Sequence, residues 1–75
     1  MVNDLNRGRY SVRLSETEWK THAEPVPGLR MLGTIERSGQ LAALGVDDAG
    51  EYFAVFGRRK TPLVKRKVES ALNAI

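Results

Sequence analysis

Three apolar runs joined by turns too short to hold anything else constrain this chain most. Leu29 to Arg37, Gln40 to Val46 and the run opened by Glu51, Tyr52 to Phe56, are separated only by Ser38-Gly39 and by Asp47-Asp48-Ala49-Gly50. Connections this short join antiparallel neighbours, whereas parallel strands need a crossover of roughly a dozen residues or more. An antiparallel meander follows. Met31, Gly33 and Ile35 alternate with Arg30, Leu32, Thr34 and Glu36, so the first run reads as a half-buried strand. The second is apolar on both faces and should be central. Gly50 is placed to take the left-handed conformation that the turn before the third strand needs.

Tyr52-Phe53-Ala54-Val55-Phe56 suits a pleated, half-buried surface, and Gly57 ends it. Arg58, Arg59 and Lys60 then form a basic hinge. Thr61-Pro62 reads as a helix start, with threonine at the cap and proline where no amide is needed. Val64, Val68, Ala71, Leu72 and Ile75 make a stripe down one face of the helix that follows, with Leu63 beside it. Tyr10, Val12 and Leu14 alternate with Arg9, Ser11 and Arg13, which adds a candidate fourth strand. The expected fold is therefore α+β: a small two-layer domain, an antiparallel meander of three to four strands with one C-terminal amphipathic helix packed on one face.

The remaining segments are less regular. Met1 to Arg7 is polar and is expected to fray. Ser15-Glu16-Thr17-Glu18 matches a capping box and could open a short helix to about Ala23, yet Trp19, Thr21 and Ala23 also alternate with Lys20 and His22. Residues 15–24 stay open between helix and strand, with a lean to strand-like or irregular structure. Trp19, the only tryptophan, reads as a lid on the core, with a partner anchor or a base-stacking platform as the alternatives. Glu24-Pro25-Val26-Pro27-Gly28 is a connector.

With 75 residues the chain makes a single small domain whose core is marginal, which leaves a homodimer open. There is no cysteine, no apolar run of membrane length and no basic-then-apolar leader at Met1-Val2-Asn3-Asp4, so the expected location is cytoplasmic and without membrane contact. His22 is the only histidine, and no glycine-rich phosphate loop, nucleophile elbow or paired-carboxylate motif appears. No enzyme, metal or cofactor is expected.

Charge carries the functional reading. Residues 58–67 hold six basic side chains and no acid, while the other 65 residues hold six basic and nine acidic ones. Arg58, Arg59, Lys60, Lys65, Arg66 and Lys67 therefore crowd a helix N-terminus, which is electropositive and favours acids. An anion there would meet both side chains and free amides. These six, with Arg9 and Arg13 as extensions, are the candidate contacts to nucleic-acid phosphates in a non-enzymatic regulatory module. The alternative partner is an acidic protein surface, as for a phage- or plasmid-type inhibitor or adaptor of a larger enzyme. The order meander, basic cluster, helix with Lys65-Arg66-Lys67 near its start is similar in layout to the latter part of a double-stranded-RNA-binding domain, over Leu29 to Ile75. That resemblance implies phosphate contacts from those lysines; the amphipathic first helix of such domains has no counterpart here. Three-stranded-sheet DNA binders with one C-terminal helix share the same outline and read DNA through the sheet.

Overall fold

The computed structural model describes residues 10–74; Arg9, the N-terminal stretch expected to fray and Ile75 lie outside them. Five strands, β1 (Tyr10–Leu14), β2 (Arg30–Arg37), β3 (Gln40–Val46), β4 (Tyr52–Phe56) and β5 (Arg59–Pro62), precede one helix, α1 (Lys65–Asn73). They form one antiparallel sheet in chain order, with β3 in the middle. The α+β class and the single helix on one face agree with the expectation; the sheet has five strands where three to four were expected.

The extra strand occupies the stretch read as hinge and helix start. Gly57 and Arg58 form a two-residue turn, with Phe56 paired to Arg59 and Phe53 to Pro62. Gly57 has φ 62°, which fits a hairpin turn with glycine first, a turn whose twist matches the strands. Pro62 is tolerated because β5 is an edge strand. Leu63 N–H then donates to Tyr52 O at 3.0 Å. The helix consequently begins at Lys65, with Val64 as its uncapped N-cap residue, and the apolar stripe moves: Leu63 is buried while Val64 is 47% exposed.

The other turns close as read. Asp47 Oδ1 accepts from the amides of Ala49 (3.0 Å) and Glu51 (2.8 Å), and Gly50 is left-handed at φ 83°. In β2 the strict alternation breaks, because the register slips between Met31 and Gly33. Leu32 and Ile35 therefore face one core while Met31 faces the other.

Both faces of the sheet are covered. On the helix side, Ile35, Leu44, Ala54, Leu63 and Val68 are buried, with Tyr10, Val12, Ala42, Tyr52 and Leu72 packed around them. A nine-residue helix is below the length that is stable alone, so α1 is held by this burial and lies against β1. On the opposite side Trp19, Ala23, Ala43 and Val55 form a second cluster, flanked by Val26, Leu29 and Met31.

The cover of that second face is the segment left open between helix and strand. Glu18–Thr21 is one turn of 3₁₀ helix. Ser15 Oγ accepts from Thr17 N–H (3.2 Å) and Glu18 N–H (3.1 Å), so half of the capping box forms. Glu18 turns instead to Arg13, 3.4 Å away. The connector is then fastened to the last hairpin: Gly57 N–H donates to His22 O at 2.8 Å and Glu24 N–H to Gly57 O at 3.0 Å. Trp19 is buried as the lid of the core.

Candidate functional site

The run of six cations does not stay together. Arg59 and Lys60 lie in β5, where alternation sends them to opposite faces, and residues 61–64 separate them from Lys65, Arg66 and Lys67. Arg58, at the hairpin tip, reaches Glu24 (Nε to Oε2 3.1 Å). Lys60 lies over the Phe53 ring, 4.8 Å from its centroid, on the tryptophan side. Arg13 is paired with Glu18 on that side as well. Both ion pairs are well exposed, where such pairs hold their partners weakly, about 0–1 kcal/mol.

The second half of the run sits in the first turn of α1. Lys65, Arg66 and Lys67 are its first three residues, all exposed, with no acid in that turn and no cap from the Val64 side chain; the Tyr10 hydroxyl accepts from Val64 N–H at 3.4 Å. Each cation there opposes the helix dipole by about 0.3–1 kcal/mol. The later helix start sharpens the conflict read from the sequence. The Lys65 Nζ lies beside Gly50, in the turn between β3 and β4. Lys67 extends over the Tyr10 ring, 5.7 Å from its centroid, which directs it toward the helix face of β1.

On that face lies a groove that sequence reasoning missed. Strand register puts Arg37, Gln40, Phe56, Arg59 and Thr61 on the helix side, at the end of the sheet that carries the 38–39 and 57–58 turns. The groove they line has a volume of about 420 Å³ and a floor of Ile35, Ala42 and Ala54. Phe56 is 66% exposed beside it. None of the lining residues is acidic. Tyr10 pairs with Arg37, so Lys67, Tyr10, Arg37 and the groove follow one another across the face. The usable signal was geometric: α1 is about 13 Å long at ~1.5 Å per residue and starts at the opposite end of the sheet, so this corner is left open.

Of the eight candidate residues, the structure thus groups Lys65, Arg66 and Lys67 on the helix and sets Arg59 on the same side of the sheet. It directs Arg13 and Lys60 to the other face, ties Arg58 to Glu24, and leaves Arg9 outside the described residues. His22 is half-buried, and among the described residues no three histidine or carboxylate side chains converge as a metal site requires. No helix among those residues is long and apolar enough to cross a membrane. No protein-family model, no curated protein and no solved structure matches this chain.

Proposed function

We propose that this protein is a small, non-enzymatic regulatory module that binds the phosphate backbone of nucleic acid through the helix side of its sheet. The observation that carries the reading is the first turn of α1: three consecutive cations, no acid and no cap from the Val64 side chain. Such a turn opposes itself electrostatically and is relieved by an anion that meets cations and amide dipoles together. Arg59 and Arg37, on the same side of the sheet, extend the positive surface beyond the helix. Phosphate contacts of this kind supply affinity and salt dependence and leave sequence choice to other contacts.

The test is a set of affinities for duplex DNA, duplex RNA and single strands of unrelated sequence, measured with Arg66→Ala/Lys67→Ala beside the unaltered protein. Uniform weakening across sequences is the expected result. An unweakened variant refutes the reading. The other reading, an inhibitor or adaptor docking on an acidic surface of a larger enzyme, uses the same cations, and is favoured if acidic polypeptide binds where nucleic acid does not.

A further inference from the structure

The open corner of the helix face has a chemistry that phosphate contact alone does not use. Across β2, β3, β4 and β5 it presents in turn a guanidinium (Arg37), an amide (Gln40), a phenyl ring (Phe56) and a second guanidinium (Arg59). Strands ~4.8 Å apart set the two arginines about 14 Å from each other at the backbone, with the ring between them. The floor between them is small and apolar, and its volume of about 420 Å³ falls in the ~300–1,000 Å³ range of small-molecule sites.

We infer that this groove takes an unpaired nucleotide, its base against Phe56 and its phosphates on Arg37 and Arg59, so that the protein prefers single-stranded nucleic acid to duplex. The inference rests on the nucleic-acid reading above and deepens it. An exposed phenyl ring offers a π-face to any base that is unstacked, and stacking of this kind is indifferent to base identity. In a duplex the bases are already stacked on one another, and only the arginines would be used. Gln40 and Thr61 supply donors and acceptors for a base edge or a sugar hydroxyl. An acidic peptide would satisfy the guanidinium groups but gives no planar partner to the ring.

The experiment is fluorescence anisotropy on the full chain with three probes: labelled oligothymidylate, a mixed-sequence duplex and polyglutamate. Phe56→Ala and Phe56→Tyr are compared with the unaltered protein. Phe56 is mostly exposed, so both variants are expected to keep the melting temperature. Oligothymidylate should bind more tightly than duplex, Phe56→Ala should weaken it about tenfold without changing the salt slope, and Phe56→Tyr should restore it. Duplex bound as tightly as the single strand, or a Phe56→Ala variant that binds like the parent, overturns the groove while leaving phosphate binding intact. Polyglutamate bound as tightly as oligothymidylate overturns it in favour of an acidic peptide. No binding to either nucleic acid overturns both readings.

Discussion

Removing the indole of Trp19 tests whether residues 15–29 are a structural layer or a loop lying on the sheet. Trp19 is 7% exposed and packs with Ala23, Ala43 and Val55, flanked by Val26, Leu29 and Met31. Truncating a buried tryptophan to alanine costs about 3–5 kcal/mol. The lower end is expected, because the connector stays fastened to Gly57 by two backbone hydrogen bonds and can partly collapse. A chain of 75 residues has a total stability of roughly 4–11 kcal/mol. Trp19→Ala should therefore leave roughly 1–8 kcal/mol of stability, with a melting temperature lower by about 12–24 °C. Urea denaturation followed by far-ultraviolet circular dichroism gives the loss. In the unaltered protein the single tryptophan supplies a second probe, and its fluorescence transition should coincide with that of the sheet. A loss under ~1 kcal/mol, or a fluorescence transition well before the dichroism transition, refutes the two-sided core.

Other substitutions address single features. A Cβ on Gly33 would run into the carbonyl oxygen of Arg13, with Leu14 Cα at 2.8 Å, so Gly33→Ala must push β1 off the sheet. In Gly45→Ala the new atom meets only side chains, Met31 Sδ at 3.2 Å and Leu29 Cδ1 at 3.3 Å, which can shift. Urea midpoints should show a loss of about 2–3 kcal/mol or more for the first and under ~1 kcal/mol for the second. Because Val64 is the helix N-cap residue, Val64→Asp should raise stability by about 1 kcal/mol while weakening nucleic-acid binding, and Thr61→Ala should do neither through a cap. A destabilising Val64→Asp would contradict the observed helix start.

The meander was legible because its turns left no alternative: Ser38-Gly39 and Asp47 to Gly50 admit little besides hairpins. β5 was not. Gly57-Arg58 turns the chain inside a basic run, and Thr61-Pro62 imitates a helix start at close range. Pairing of those residues with Phe53 and Ala54 outweighs that local preference, and it also exchanges the fates of Leu63 and Val64. Residues 15–29 were illegible for another reason. Trp19, Ala23 and Val26 fall at i, i+4 and i+7 as on a helix, but Pro25 and Pro27 stop a helix from running through them, and their common side is defined only by the sheet beneath them. For the site, the cations of the first helical turn stood next to each other in sequence. Arg37, Gln40, Phe56 and Arg59 are joined only by strand register, and none could be grouped before that register was known.

The most direct test of the functional account is the salt dependence of single-strand binding, compared with the Arg59→Ala/Lys67→Ala variant. Leaving out Lys65, whose Nζ lies beside Gly50 in the 47–50 turn, four cations count toward the helix side: Arg37, Arg59, Arg66 and Lys67. Four phosphate contacts give a slope of log affinity against log salt of about −3 for a single strand, and removing two should bring it to about −1.4. Slopes near those values support a phosphate-binding face. A slope near zero, or one that the variant leaves unchanged, contradicts it.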